Sequence, residues 1–281
     1  MSLRWCLPLA LAFAAGAAFA QQQVEVPSLE RRNGEPLALI GHWFAAGGDA
    51  ARPAIVLLHG CGGAYDARGN LSPRLLDYAA LFNEQGWHAL VLDSLKSRGE
   101  RELCTQAGAG RAITMTNRRL DALGALQWLA ARPEVDSRRL AMVGWSHGGS
   151  TVLAASNYLQ RDVAAASVKP RAAVAFYPGC AAELARGFRS TAPLLLMIGA
   201  SDDWTPAGPC VALAEHSGQT VRSIVFPGAH HGFDGSGAPR LRRDVPGGVN
   251  PGQGVTVGGQ PAAREASRTE LLGHLHGQLD R

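Results

Sequence analysis

From residue 53 to the end of the chain, short apolar segments alternate with longer segments whose apolar residues recur at helical spacing. The apolar segments predict strands at residues 54–58, 88–92, 140–143, 172–176, 194–198 and 221–226. The helical segments are residues 71–84, 113–131, 147–159, 206–216 and 261–279. Strands that alternate with helices in this way build a mostly parallel sheet covered by helices on both faces. The sequence therefore predicts an α/β fold around one central sheet.

Two further segments do not follow this alternation. Residues 24–30 and 36–45 flank Asn33-Gly34, a dipeptide typical of the tight turn in a β-hairpin. We expect them to form an antiparallel pair at one edge of the sheet. Residues 235–260 are rich in Gly and Pro and have no sustained hydrophobic period, which predicts a long loop. Loops longer than about 12 to 15 residues in a compact domain are usually functional or disordered, and the sequence leaves the role of this one open.

The beginning of the chain has the pattern of a secretory signal peptide. Arg4 gives a short positively charged start, residues 5–19 are apolar and rich in Ala, and Ala18-Phe19-Ala20 is a small-x-small cleavage site. The apolar stretch is shorter than the roughly 20 residues that a membrane-spanning helix needs, so we expect no membrane anchor. These features predict residues 1–20 as a signal peptide, residues 21–281 as one folded domain, and a periplasmic or secreted protein.

Composition limits the partners and cofactors. The formal net charge is +4, and the arginines are spread along the sequence, which gives no support for nucleic acid as a partner. No segment has the ligand spacing of a CxxC zinc site or an HExxH helix, so we expect neither a metal nor another cofactor. In an exported protein an even number of cysteines is typical of disulfides. After the signal peptide there are four: Cys61, Cys104, Cys180 and Cys210.

The segment Gly144-Trp145-Ser146-His147-Gly148 matches G-x-S-x-G, in which a strained serine projects its hydroxyl from a sharp turn between a strand and a helix. Glycines are needed there because larger residues would collide with the neighbouring strand and helix. An apolar strand precedes the segment and an Ala-rich helix follows it, as this turn requires. We therefore predict Ser146 as a nucleophile.

An acid and a histidine follow later strands in the order that this architecture requires, which is Ser, then acid, then His. Asp202 and Asp203 follow strand 194–198, and His230 and His231 follow the last strand. Because the carboxyl ends of parallel strands meet at one edge of the sheet, we expect one Ser, one Asp and one His to lie together. Strand placement alone does not distinguish between the two acids or between the two histidines.

Acyl transfer is the chemistry that these residues predict. The histidine would accept the serine proton and return it to the leaving group, while the acid would orient and stabilise the imidazole. The charged oxygen of the tetrahedral intermediate needs two N–H donors. One is expected from His147, directly after the nucleophile, and the other from Cys61 in the glycine loop of residues 59–63. This loop lacks the Lys-Ser/Thr pair of a phosphate-binding P-loop.

Taken together, these motifs resemble the dienelactone hydrolase family of the α/β-hydrolases. The matching segments are residues 58–63, 144–149, 199–206 and 227–233. The resemblance implies the α/β-hydrolase fold, a mostly parallel central sheet flanked by helices, here with an N-terminal antiparallel hairpin. The family's acid lies four residues before a proline and its histidine lies in a G-A-x-H-x-F context. The resemblance therefore implies Asp202 in preference to Asp203, and His231 in preference to His230.

The chain also differs from the family. Dienelactone hydrolases have a cysteine nucleophile, whereas this chain has Ser146, which implies a broader or different ester substrate. Arg98 lies near the place of one family arginine that binds a substrate carboxylate, but Gly235 occupies the position expected for the second. Arg98 is a candidate for substrate binding, or else a solvated loop charge. Trp145 and Trp204 follow strand ends, so they are candidates for substrate contact or for packing.

The same resemblance implies a pairing of the cysteines. In an α/β-hydrolase sheet the strands that precede Cys180 and Cys210 are neighbours, which brings these two residues close together. Cys61 and Cys104 are then the remaining pair. Four buried free thiols are the alternative. Each disulfide would contribute about 2 to 4 kcal/mol to stability.

The leading hypothesis is an exported serine hydrolase that cleaves a small-molecule carboxylic ester, thioester or lactone, as a monomer or a dimer. A polyester depolymerase or a peptidase would use the same triad with a different cleft. A non-catalytic ligand-binding homologue would keep the fold and is expected to have a broken triad. The sequence indicates neither the acyl length nor the leaving group.

Overall fold

The computed structural model describes residues 21–107 and 110–281, so the predicted signal peptide at residues 1–20 lies outside the described residues. The strands are β1 (Gln21–Arg32), β2 (Glu35–Phe44), β3 (Arg52–Leu58), β4 (His88–Asp93), β5 (Val135–Trp145), β6 (Ala172–Phe176), β7 (Leu194–Gly199), β8 (Val221–Phe226), β9 (Arg240–Arg242) and β10 (Val255–Val257). The helices are α1 (Pro73–Glu84), α2 (Met115–Ala130), α3 (His147–Ser156), α4 (Arg161–Ala165), α5 (Ala181–Arg186), α6 (Ala207–His216) and α7 (Pro261–Leu279). Among the helices in this part of the chain, none is both long and apolar enough to cross a membrane.

The first eight strands form one sheet in the order β1-β2-β4-β3-β5-β6-β7-β8. Neighbouring strands from β4 to β8 are parallel, whereas β2 is antiparallel to both β1 and β4. The turn between β1 and β2 lies at Asn33 and Gly34, whose φ angles of 52° and 87° suit the tight turn predicted there. The predicted α/β-hydrolase fold, with an antiparallel hairpin at one sheet edge, is confirmed.

Helices cover both faces of the sheet through two hydrophobic layers. Successive residues of β3 alternate between the layers: Val56 and Leu58 belong to one, and Ile55 and Leu57 to the other. The first layer packs α2, α3 and α6 against the sheet, and the second packs α1 and α7. Because both faces are covered, the central strands are continuous apolar runs, which is why their positions are visible in the sequence.

Helix α3 ends at Ser156 and not at residue 159 as predicted. The next residue, Asn157, is fully buried and has an extended backbone with ψ of 101°. Its side-chain oxygen accepts from the N–H groups of Leu159 and Arg189, and its amide donates to Glu183. The asparagine side chain thus accepts from the N–H of Leu159 in place of the carbonyl that a continuing helix would have offered, and the chain turns away.

Residues 235–260 are not the plain loop that the sequence predicted. They contain β9 and β10, which pair antiparallel with Val255 opposite Arg242 and Val257 opposite Arg240. Strands of only three residues within a Gly-rich segment give no detectable alternation, so the pattern missed them. We refer to residues 235–260 as the cleft hairpin because they form one wall of the cleft described below.

Candidate active site

Ser146 lies at a strained turn between β5 and α3, with φ of 53° and ψ of −117°. Its N–H donates to the carbonyl of Phe176 at 2.9 Å. A Cβ on Gly148 would lie 1.9 Å from the carbonyl oxygen of Leu58, and a Cβ on Gly144 would lie 2.3 Å from that of Gly148. Neither site tolerates a side chain, so the two glycines permit the backbone that exposes the serine hydroxyl.

A continuous hydrogen-bonded chain joins Ser146, His231 and Asp202. The serine Oγ lies 2.9 Å from His231 Nε2, and His231 Nδ1 lies 2.8 Å from Asp202 Oδ2. The histidine and the aspartate are 4% and 5% exposed, so little water competes for these bonds. The other two alternatives lie elsewhere. Asp203 accepts from Thr256 Oγ1 at 3.0 Å, and His230 is half-buried with Nδ1 2.9 Å from the carbonyl oxygen of Ser201.

Asp202 is held by the turn that follows it. Its Oδ1 accepts from the backbone N–H groups of Trp204 and Thr205 at 2.9 and 2.8 Å. The Thr205 hydroxyl lies 3.0 Å from Asp202 Oδ2 and 3.1 Å from His231 Nδ1, and also 3.0 Å from the carbonyl oxygen of Tyr177. Sequence reasoning missed Thr205. The available signal was a hydroxyl residue three positions after the acid, in reach of its carboxylate.

The glycine loop lies against the nucleophile turn on the other side of Ser146. A Cβ on Gly60 would lie 3.3 Å from the carbonyl oxygen of Trp145 and 3.5 Å from Cβ of Ser146. Cys61 in this loop lines the same cleft as the serine. His147 begins α3, so its N–H is among the free donors at the start of a helix. The loop and the helix start are therefore adjacent to Ser146, as the prediction of two oxyanion donors requires.

Both predicted disulfides are present. Cys61 is bonded to Cys104, and Cys180 is bonded to Cys210. The first ties the glycine loop to the segment after β4, where the carbonyl of Cys61 also accepts from the N–H of Leu103 at 2.7 Å. This bond therefore restrains a loop that borders the candidate site.

Ser146 and His231 lie in an open cleft of about 970 Å³. The cleft hairpin forms one wall and is attached beside the hydrogen-bonded chain. Asp203 accepts from both the backbone N–H and the hydroxyl of Thr256, and the carbonyl of His231 accepts from Gly258 at 2.9 Å. The arginines that line the cleft are Arg74, Arg240, Arg242 and Arg264. The segment that the sequence left without a role is therefore part of the site.

One buried cluster fixes the floor of the cleft. Asp234 accepts from the hydroxyls of Tyr177 and Tyr78 at 2.7 and 3.1 Å, and Arg74 Nε lies 3.2 Å from its carboxylate. Burial, together with the neighbouring Asp234, raises the pKa of both tyrosines well above the usual value of 10.0. Both hydroxyls therefore stay protonated as donors to Asp234. This holds the Tyr177 ring 4.6 Å from the His231 ring, centroid to centroid.

The two tryptophan candidates differ in position. Both border the cleft, but the ring of Trp204 lies beside the candidate base, with its centroid 4.7 Å from that of His231. Trp145 is only 1% exposed, and its ring stacks on Phe176 at 5.6 Å and contacts Tyr78 at 4.7 Å. The ring of Trp145 thus belongs to the core below the site, and the structure favours packing over substrate contact for this residue.

Arg98 does not lie in the cleft, and its assignment to substrate binding is wrong. Its side chain is 2% exposed and is bound by Glu30 and by Asp121 at 2.8 Å. Burial alone would raise the pKa of Glu30, but hydrogen bonds from Arg98 and Asn117 outweigh burial and lower it to about 2. Two carboxylates already neutralise this guanidinium, so it is not available to a substrate anion. Arg98 instead joins the end of β1 to α2.

Comparisons with known proteins identify a family and a shared fold. The model of the dienelactone hydrolase family matches residues 43–250. No match was found among curated proteins. The chain is similar to the solved structure of a dienelactone hydrolase-like promiscuous phosphotriesterase from metagenomic libraries, with 20% identity, a TM-score of 0.63, and coverage of 92% of this chain and 99% of that chain.

Two further solved structures are similar over most of their length. One is a dienelactone hydrolase from Anabaena variabilis, with 18% identity, a TM-score of 0.60, and coverage of 92% of this chain and 99% of that chain. The other is esterase 2 from Thermogutta terrifontis, with 16% identity, a TM-score of 0.60, and coverage of 91% and 93%. At these identities the likeness shows a shared fold.

Proposed function

The chain belongs to the dienelactone hydrolase family and is an ester hydrolase, and from this premise we propose that it cleaves carboxylic esters, thioesters or lactones with Ser146 as nucleophile. The observation that carries the proposal is the unbroken hydrogen-bonded chain from Ser146 through His231 to Asp202. A non-catalytic homologue would not be expected to keep all three groups at hydrogen-bonding distance beside an open cleft.

Acylation follows from the positions of these groups. His231 Nε2 accepts the proton of Ser146 Oγ as the oxygen attacks the substrate carbonyl, and Asp202 stabilises the imidazolium that forms. The Trp204 and Thr205 N–H groups hold the carboxylate in the orientation that this requires. The tetrahedral intermediate then expels the alcohol, thiol or ring oxygen, which takes the proton from His231, and an acyl-enzyme remains on Ser146.

The developing negative charge on the carbonyl oxygen needs donors that are fixed before the reaction. We assign these to the backbone N–H groups of His147 and Cys61. Support comes from the start of α3 at His147 and from the contact of the glycine loop with Ser146. Water activated by His231 then attacks the acyl-enzyme by the same route and releases the acid.

The cleft supports small esters as substrates and leaves room for larger ones. Its volume is about 970 Å³, and Trp204 offers an aromatic surface beside His231. A polyester depolymerase would use the same groups on a chain laid along this cleft, and a peptidase would use them on an amide. Matched p-nitrophenyl esters, a thioester, a lactone, a soluble polyester and a peptide anilide separate these classes by kcat/KM.

Export is the second part of the proposal. We place the protein in the periplasm or outside the cell, with residues 1–20 removed as a signal peptide and residues 21–281 as the folded domain. Two disulfides support this because such bonds persist in oxidising compartments. N-terminal sequencing of the protein recovered from expressing bacteria tests it: a start at Gln21 is expected, and a cytosolic protein that retains Met1 would contradict it.

Substitution of the nucleophile tests the catalytic part. Ser146→Ala is expected to lower kcat/KM for p-nitrophenyl acetate by about 10⁵-fold or more, as loss of a nucleophile does in comparable triads. Ser236→Ala is the matched control, because Ser236 also lines the cleft and is exposed, but lies on the cleft hairpin. Comparable activity of Ser146→Ala and Ser236→Ala would exclude Ser146 as the nucleophile.

A further inference from the structure

A buried guanidinium lies behind the proposed oxyanion donors. Arg118, in the first turn of α2, is completely buried, and burial lowers its pKa to about 10, so it stays charged at neutral pH. Its Nη2 donates to the carbonyl oxygen of His59 at 2.9 Å, and its Nη1 lies 3.0 Å from Nδ1 of His147. A buried charge is costly unless its hydrogen bonds are specific. Here the two acceptors belong to the two segments that flank Ser146.

Arg118 holds the backbone of His59 through its carbonyl, and the ring of His59 in turn holds the peptide that carries the N–H of Cys61. Nδ1 of His59 lies 2.7 Å from the carbonyl oxygen of Gly60, and Nε2 accepts from the N–H of Ser94 at 3.2 Å. Nε2 is thus an acceptor, which places the ring proton on Nδ1 as a donor to Gly60. The Gly60 carbonyl and the Cys61 N–H belong to one planar trans peptide and point in opposite directions. Holding the carbonyl therefore sets the direction of the N–H.

The contact with His147 bears on the other donor, which is the backbone N–H of His147 itself. Burial and the charge of Arg118 lower the pKa of both His59 and His147 well below 6.5. Both rings are therefore neutral, and Nδ1 of His147 can accept from the guanidinium. Arg118 thus contacts His147, which carries one donor, and His59, which holds the peptide that carries the other.

We propose that Arg118 is a positioning residue for the reaction, one that holds the two oxyanion donors in a fixed relative position from behind. The proposal rests on the catalytic function proposed above. A planar guanidinium suits this role because its nitrogens donate along fixed, divergent directions, whereas a lysine ammonium is a single point donor. The guanidinium does not touch the substrate in this account; it acts through His59 and His147.

Three variants test the proposal. Arg118→Met removes the donors and keeps an unbranched chain, and Arg118→Lys keeps the charge. Arg119→Met is the matched control, since Arg119 is its neighbour on α2 and is mostly buried, but binds Asp162 at 2.8 Å. Arg118→Met is expected to lower kcat by about 10- to 100-fold, in the range that displaced oxyanion donors cause. KM should stay within about 2-fold, because ground-state contacts are unchanged. Arg118→Lys should remain at least about 5-fold below wild type.

A trifluoromethyl ketone gives the readout that simple packing would not move. It forms a tetrahedral adduct with a charged oxygen, so its inhibition should weaken by the same factor as kcat/KM. The pH at which kcat/KM reaches half of its plateau should not change, because the triad is intact. Melting temperature and non-reduced peptide mapping report on folding, and Arg118→Lys serves as the test if Arg118→Met is unfolded.

The outcomes separate this inference from the proposed function. Ser146→Ala, assayed beside these variants, reports on the proposed function alone. If that variant is inactive while Arg118→Lys or a folded Arg118→Met keeps wild-type kcat, the positioning role is excluded and the triad stands. Equal losses in Arg118→Met and Arg119→Met, or an unchanged affinity for the ketone, would likewise overturn it.

Discussion

If the two disulfides are removed one at a time, the effect of each on stability can be separated from its effect on catalysis. Cys61–Cys104 closes a loop with a sequence separation of 43, and Cys180–Cys210 one of 30. In the chain-entropy account these lengths correspond to about 4 and about 3.6 kcal/mol. For a domain of this size either loss should lower the melting temperature by about 7 to 16 °C. The double variants Cys61→Ala/Cys104→Ala and Cys180→Ala/Cys210→Ala should therefore be destabilised almost equally.

Their activities should differ. The N–H of Cys61 is a proposed oxyanion donor, and its loop packs in a small separate cluster with Leu95, Leu103 and Ile113. With so few apolar contacts, the disulfide is a main restraint on the loop. Cys180 and Cys210 belong to the large layer under α6, and neither lines the cleft. We expect kcat at 25 °C to fall by about 10-fold or more in the first double variant, approaching the loss of a whole donor, and to change less than about 2-fold in the second.

The assay is steady-state hydrolysis of p-nitrophenyl butyrate alongside calorimetry of both double variants. A KM that stays constant while kcat falls would locate the effect in the transition state. Equal losses of kcat in the two variants would contradict the prediction, because they would mean that a general loosening of the fold, and not a displaced glycine loop, lowers turnover. Full activity of Cys61→Ala/Cys104→Ala, with its melting temperature lowered as expected, would also contradict the prediction.

Three other predictions follow from single contacts. Thr205→Val removes the hydroxyl that donates to the carboxylate of Asp202 while the side-chain volume stays nearly constant. We expect kcat to fall by about 3- to 10-fold, as the loss of one hydrogen bond implies. An unchanged kcat would show that the backbone N–H donors alone hold the carboxylate. Asp203→Ala removes both hydrogen bonds to Thr256. Amide hydrogen exchange at residues 255–257 should become faster by the equivalent of about 2 to 3 kcal/mol. Unchanged exchange would mean that other contacts hold the cleft hairpin. The pKa of Glu30 in the folded protein is about 2, below the ordinary value of 4.5. The ionised carboxylate of Glu30 therefore stabilises the fold above about pH 5, and this stabilisation is lost as the pH falls toward 2. The free energy of unfolding of wild type should therefore fall more steeply than that of Glu30→Gln between pH 5 and 3 in urea titrations, and parallel curves would contradict this.

Regular elements with their own local signals were predictable. The helix at Pro261–Leu279 and the strands at Ala172–Phe176 and Val221–Phe226 have the predicted bounds, because apolar period and flanking turn residues mark both ends. Strand β5 begins at Val135, five residues before the predicted start, since Asp136 to Arg139 are too polar to suggest a strand. The sequence marks a strand clearly where an apolar or β-branched run is bounded by turn residues, and the polar start of β5 has no such run.

Long-range polar contacts were not predictable. Nothing near Arg98 indicates that its partners are Glu30 and Asp121, which lie 68 and 23 positions away. The same holds for Arg118. The sequence shows it as an ordinary helix residue, although it contacts His59 and His147, which lie 59 and 29 positions away. The hydrogen-bonded chain of Ser146, His231 and Asp202 was easier to predict. Each of its members follows a strand, and parallel strand ends converge at one sheet edge whatever the detailed packing.

Labelling with a fluorophosphonate shows whether Ser146 is the nucleophile, because such a probe forms a covalent bond only with an activated nucleophile. The purified protein is incubated with the probe and digested, and the modified peptide is mapped by mass spectrometry. One adduct per chain is expected, on Ser146, formed at a rate that falls at least about 100-fold in His231→Ala. An adduct on another residue, or none in protein that still hydrolyses esters, would contradict it.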